Sequence, residues 1–158
     1  MTLNRSTLDG TPLNPPAPPH VQPSYYAAIL HGYAVGRSGS ASVVELSVAQ
    51  DNVSGYAIFE HGKLVRAVFV NLDAWLTSST GTRPSVHLDL DFSQGGSPRS
   101  ATVRRLTIQH ADDVSGLTLG GQSYETPDAL VSGREYLQTI NVQDGVDISS
   151  TEAILLSF

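Results

Sequence analysis

In Tyr56-Ala-Ile-Phe-Glu-His-Gly-Lys-Leu-Val-Arg-Ala-Val-Phe-Val70, two short runs rich in β-branched and aromatic residues flank the dipeptide His61-Gly62. Two such runs joined by a tight turn that contains glycine predict a β-hairpin. A similar run at 43–48 precedes them across the turn Asp51-Asn52. The sequence therefore predicts a three-stranded antiparallel meander.

Further runs predict more strands along the rest of the chain, at 86–92, 103–108, 136–142 and 153–158. Turn signals separate them, and no second helical pattern follows residue 40. Residues 111–133 are predicted to form an ordered surface loop. Together these features predict a mainly β fold, an antiparallel β-sandwich of Greek-key type with about seven to eight strands and one preceding α-helix.

The region before the sandwich divides into a connector and that helix. Six prolines between positions 12 and 23 exclude a helix interior or a central strand, so this segment is expected to be extended. Apolar residues at helical spacing predict a helix over about 24–35, with Ser24 as its N-cap and Gly36 as its end. We expect residues 1–39 to form the connector and helix, and residues 40–158 to form the sandwich.

Composition excludes several classes of function. The 158 residues carry a net charge of −6 with scattered basic residues, which argues against nucleic acid as a partner. No apolar run reaches the roughly 18 residues of a membrane span, and the absence of cysteine excludes disulfides and thiolate metal sites. The first residues lack a signal-peptide pattern, although Asn4 and Asn52 each begin an N-glycosylation tripeptide.

Three candidate sites find little support in the residues. His87, Asp89 and Asp91 alternate along one predicted strand and could bind a divalent cation, but a solvated strand face explains them better, so we predict no metal and no cofactor. A serine hydrolase is disfavoured because the chain has no G-x-S-x-G motif. The glycines of 116–121 lack the lysine and the following helix that a phosphate loop requires.

Glycoside hydrolysis needs two carboxylates held on opposite sides of a sugar. The available glutamates are Glu45, Glu60, Glu125, Glu135 and Glu152, and their spacing favours no pair. The three that lie in predicted strands are equally compatible with outward-facing charges. We therefore predict no catalytic residue in this chain. Tyr124 and Tyr136, near the long loop, are weak candidates for stacking on a sugar, with packing as the alternative.

Six runs spread over nearly the whole chain are similar in sequence to one known family. They are 3–10, 22–29, 62–71, 80–86, 103–108 and 120–125. Taken together, they resemble the C-terminal region of fungal β-glucuronidases of glycoside hydrolase family 79. The resemblance implies a secreted parent in which a (β/α)8 barrel carries both catalytic glutamates and a β-sandwich packs on that barrel. This chain is then expected to correspond to the last barrel helix plus the sandwich.

The same resemblance bears on activity. The acid/base glutamate of the wider clan follows an asparagine, and this chain contains no Asn-Glu pair. The implied function is a non-catalytic accessory domain. The chain is then expected to be a fragment of an extracellular parent protein, and its partner is expected to be the absent barrel. The alternative is a carbohydrate-binding module that holds glycans through the loop residues Tyr124 and Tyr136.

Overall fold

The computed structural model describes residues 2–3, 20–92 and 98–158. Two short strands, β1 (Thr2–Leu3) and β2 (His20–Val21), pair antiparallel and lead into helix α1 (Pro23–Val35). The strands that follow are β3 (Ala41–Leu46), β4 (Val53–Glu60), β5 (Lys63–Asn71), β6 (Ser85–Leu88), β7 (Ser100–Thr107), β8 (Thr118–Leu119), β9 (Gln138–Asn141), β10 (Val146–Ser149) and β11 (Glu152–Ser157). A 3-10 turn, η1 (Val142–Asp144), joins β9 to β10.

Strands β3 to β11 form a large sheet and a small one, so the predicted antiparallel sandwich is confirmed. The large sheet has the order β3-β4-β5-β11-β7, and both β8 and β9 lie along the outer edge of β7. The small sheet consists of β6 and β10. The last strand, β11, therefore lies in the middle of the large sheet, hydrogen-bonded to β5 on one side and to β7 on the other.

One hydrophobic core fills the space between the two sheets. Alternate residues of the large sheet, such as Phe69, Val103 and Leu156, point into this core because successive side chains of a strand face opposite ways. Leu88 and Ile148 of the small sheet complete it. Burial of these apolar side chains is the main force that holds the two sheets together.

A second core lies on the opposite face of the large sheet, under helix α1. Tyr26, Leu30 and Ala34 of the helix pack with sheet residues such as Ile58 and Leu155. Leu117, Leu119 and Ala129 of the long connection between β7 and β9 close the side of this core. The apolar side of the helix therefore packs against the sandwich of this same chain.

Strand β11 is buried on both faces as a result. Ile154 and Leu156 point into the core between the sheets, whereas Ala153 and Leu155 point toward the helix. This explains why the strand has an almost continuous apolar sequence in place of the alternation seen in half-buried strands.

The structure differs from the sequence predictions at several element ends. Helix α1 starts at Pro23, whose lack of an N–H is tolerated in the first turn, so Gln22 and not Ser24 occupies the N-cap position. Gly36 ends the helix, as predicted, with a φ of 73°. Strands β8 and β10 were not predicted, since two and four residues are too short for a clear periodic pattern. Within the described residues, no helix is long and apolar enough to cross a bilayer.

Candidate functional site

The contact between helix α1 and the long connection after β7 is built on three tyrosines. The Tyr124 ring meets Tyr25 and Tyr26 edge to face, with ring centroids 5.6 and 5.4 Å apart. The buried Tyr26 hydroxyl accepts a hydrogen bond of 2.7 Å from the backbone N–H of Tyr124. Burial raises the pKa of the Tyr124 phenol. Tyr124 thus fixes the connection to the helix.

Two arginines of the large sheet hold the C-terminal half of the helix. Arg66 of β5 donates from Nε to the carbonyl of Ala34 at 2.6 Å, and its guanidinium also pairs with Glu60. It therefore binds one of the carbonyls that a helix end leaves without an intrahelical partner. Arg104 of β7 lies 3.9 Å above the ring centroid of Tyr33, a cation–π contact.

Beside the helix, the connection between β8 and β9 presents apolar side chains to solvent. We define the helix–loop surface by its five exposed members, Tyr33, Leu130, Val131, Tyr136 and Leu137. Arg104 links the helix to the loop. Its guanidinium contacts Tyr33 of the helix and pairs with Glu135, which precedes Tyr136 in the loop.

The backbone beneath the helix–loop surface is held by hydrogen bonds. The N–H of Tyr136 donates to the carbonyl of Gly120 at 2.7 Å, and Ser123 and Ser132 exchange two backbone bonds. The exposed side chains are therefore attached to an ordered part of the fold. Apolar side chains that are exposed on an ordered part of the fold are candidates for contact with a partner.

The two aromatic residues predicted as sugar-binding candidates lie in different environments. Tyr136 is 73% exposed, whereas Tyr124 is half-buried against the helix. Of the two glycosylation candidates, Asn52 lies in the turn before β4, where its side-chain amide donates to the carboxylate of Asp73. Asn4 lies outside the described residues. Sugar binding and glycosylation stay predictions.

Four of the five glutamates make structural interactions. Glu60 and Glu135 pair with Arg66 and Arg104, respectively, and Glu125 accepts hydrogen bonds from the backbone N–H groups of Gly116 and Leu117. Glu152 is buried, so the prediction that it could face outward was wrong; the cause is the central position of β11. Glu45 is exposed on β3.

The predicted strand carrying His87, Asp89 and Asp91 ends early, since β6 stops at Leu88. His87 Nδ1 lies 2.8 Å from Asp147 Oδ1 on β10, beside a polar pocket of about 360 Å³. Within residues 21–92 and 98–158, no three histidine or acidic side chains lie close enough to hold a metal ion.

Sequence reasoning missed the two arginines that fasten the helix. The available signal was weak: Arg66 interrupts the otherwise apolar run of β5, and Arg104 lies in the pair Arg104-Arg105 in the middle of β7. A charged residue on a face that should be buried indicates a partner, although the sequence does not say which.

Comparison with known proteins gives matches to a family model and to solved structures. The model of the glycosyl hydrolase family 79 C-terminal beta domain matches residues 55–155. A solved structure of a 4-O-α-L-rhamnosyl-β-D-glucuronidase from Fusarium oxysporum, in complex with Rha-GlcA, superimposes with a TM-score of 0.71 and 21% sequence identity. The match covers 85% of this chain and 29% of that chain. No curated protein matches.

Proposed function

The chain belongs to the glycosyl hydrolase family 79 C-terminal beta domain family, and from this premise we propose that it is a non-catalytic accessory domain of a β-glucuronidase-like hydrolase. Its partner is a (β/α)8 catalytic domain, which residues 20–92 and 98–158 do not form. The observation that carries the proposal is the helix–loop surface, where two tyrosines and three aliphatic residues are exposed on hydrogen-bonded backbone. Aromatic residues are enriched at interface cores.

The role of the helix–loop surface follows from its construction. Tyr33 and Tyr136 have large rings that can bury much area while few side-chain rotations are lost. Tyrosine is for this reason enriched among the residues that dominate the binding energy of interfaces. Leu130, Val131 and Leu137 surround them with aliphatic area. Docking of the catalytic domain on this surface removes the apolar area from water and stabilises both partners.

The non-catalytic assignment is supported by the state of the glutamates. Glu60, Glu135 and Glu152 are paired with arginines, and Glu125 is bonded to backbone N–H groups. A catalytic carboxylate must be free to reach a sugar, and these four are engaged by partners within the fold. Purified chain is expected to leave an aryl β-glucuronide intact. Turnover that copurifies with the chain through stringent purification would overturn this part of the proposal.

Docking is tested with the gene that encodes the chain. We expect the upstream DNA to encode, in the same reading frame, a (β/α)8 barrel that carries an Asn-Glu pair. That barrel, expressed separately, should copurify with the chain, and Tyr136→Lys should abolish copurification. Val114→Lys is the matched control, because Val114 is exposed in a different loop. Absence of an in-frame barrel, or equal copurification of both variants, would contradict docking at this surface.

A second candidate function, sugar binding, has one observation in its favour: the Tyr136 ring is accessible for stacking. We do not propose Tyr124 as a second stacking residue, because Tyr25 and Tyr26 contact its ring. Calorimetry with glucuronate-bearing oligosaccharides tests it, with saturable heat that Tyr136→Ala removes as the expected result. No heat at millimolar sugar would exclude it.

A further inference from the structure

Strand β3 forms one edge of the large sheet and exposes two adjacent valines. In the part of the chain that the structure describes, β3 pairs with β4 alone. Val43 is 55% exposed and Val44 is 51% exposed. The two side chains point to opposite faces of the sheet, because Val43 pairs with Ile58 of the helix-side core and neighbouring residues alternate.

Exposure on both faces restricts the geometry of a partner. A protein that packs on one face of the sheet covers either Val43 or Val44. A strand added in the plane of the sheet, alongside β3, covers both valines and also binds the free backbone groups of the edge. The exposed pair therefore indicates strand addition.

The edge has few of the features that prevent such pairing. Natural edge strands carry lysine, proline or a bulge that blocks edge-to-edge association. Ala41–Leu46 contains neither lysine nor proline, and its register with β4 runs without interruption from Ala41 to Leu46. Its one charged residue is Glu45.

We propose that the occupant of this edge is the β3 strand of a second copy, paired antiparallel across a two-fold axis so that the two large sheets become one. The strand is complementary to itself. If the axis passes beside Val43, Glu45 lies opposite Ala41 of the second copy; if it passes beside Val44, Glu45 lies opposite Val43. In both registers valine meets valine at the axis and no like charges meet.

The interface is independent of the proposed docking function. Strand β3 lies at one edge of the large sheet, whereas the helix–loop surface adjoins β7 and β8 at the other. A contact made by a single six-residue strand is small, so we expect a weak dimer whose population rises with protein concentration. Loss of either interaction leaves the other measurable.

The absence of cysteine from the chain allows a direct test, because one introduced thiol is unique. Directly opposed strand residues have Cβ atoms about 4.5–5.5 Å apart, near disulfide range. Val43→Cys or Val44→Cys should give a crosslinked dimer on mild oxidation, and the faster of the two identifies the register. Val114→Cys, an exposed valine outside both proposed interfaces, is the matched control and should stay monomeric.

Sedimentation velocity on the unmodified chain provides the second measurement. The sedimentation coefficient should rise with concentration for the natural chain and stay constant for the double variant Val43→Lys, Val44→Lys. Circular dichroism checks that this variant is folded. A natural chain that is monomeric at every concentration, or a Val114→Cys chain that crosslinks as fast as the β3 variants, would overturn the proposal.

Discussion

Arg105 of β7 and Glu152 of β11 form an ion pair in which Nη1 lies 3.0 Å from Oε1. The carboxylate side chain is only 4% exposed, and its second oxygen accepts a hydrogen bond of 2.8 Å from the N–H of Ser149. Arg105 also donates to the carbonyl of Asp147 in β10, so the pair ties the small sheet to the centre of the large one.

We expect Glu152→Ala to lower the free energy of unfolding by about 1–3 kcal/mol, because it removes the acceptor of the Ser149 N–H and leaves the partly buried Arg105 without its counter-charge. Urea unfolding measures the change. Arg105→Ala together with Glu152→Ala should cost less than the sum of the single changes, since the double variant leaves no orphaned charge. Strict additivity would show that the two residues do not interact.

Gly55 of β4 is required by packing. A Cβ at this position would lie 2.8 Å from Cε1 of the buried Phe69. Gly55→Ala should therefore destabilise the fold by about 1–3 kcal/mol through overpacking. Gly32→Ala is the matched control: it lies inside helix α1 with open space around the new methyl group, and it should stabilise the chain by up to about 1 kcal/mol. Thermal unfolding of both variants distinguishes the two effects, and equal shifts would contradict the packing argument.

Arg66 is expected to be necessary for holding helix α1. Arg66→Lys keeps the charge but loses the Nε donor that reaches the carbonyl of Ala34. We expect a loss of about 1–3 kcal/mol in unfolding free energy. Hydrogen exchange should quicken in the last turn of the helix while the rates in β5 change little. Arg37→Lys at an exposed position is the control. An equal loss of unfolding free energy in that variant would contradict the claim that Arg66 holds the helix.

Asp112 gives the chain a stability that depends on pH. Hydrogen bonds from Thr77, first from its hydroxyl and then from its N–H, lower the pKa of the Asp112 carboxyl. A pKa that is lower in the folded state contributes stability above the unfolded-state pKa of about 3.9, and this contribution disappears as the pH falls through the folded value. Asp112→Asn should therefore be less stable than the natural chain at neutral pH, and the difference should shrink below about pH 4.

The control for this pH effect is Thr77→Val, which removes the hydroxyl donor but keeps the shape of the side chain. In that background, the destabilisation caused by Asp112→Asn and its pH dependence should both be smaller. Unfolding curves at neutral and acidic pH measure all four chains. An Asp112→Asn effect of the same size at both pH values would contradict the assignment.

The alternating and apolar runs of the sequence were sufficient to predict β3, β4, β5, β7 and β11 and the helix before them. These runs did not predict the order of the strands in the sheet. The apolar run 153–156 indicates a strand buried on both faces, but it cannot indicate that β5 and β7 are its neighbours, because pairing depends on contacts distant in the chain.

The candidate site shows the same limit at the level of single residues. Tyr124 and Tyr136 occupy similar sequence contexts, both in a segment rich in glycine and polar residues. Helix α1 separates their roles, since it packs on Tyr124 and leaves Tyr136 in solvent. Nothing in the local sequence shows where a helix residue 98 positions earlier will lie, so tertiary structure alone distinguishes the two.

The central position of β11 has a consequence for biosynthesis. While the ribosome is still producing the chain, β3, β4 and β5 are able to pair, but β5 and β7 each keep an open inner edge until β11 emerges. A nascent chain stopped before Glu152 therefore carries two apolar sheet edges side by side, a known starting point for aggregation. Premature termination near the end of this gene is expected to produce an insoluble product, far out of proportion to the few residues lost.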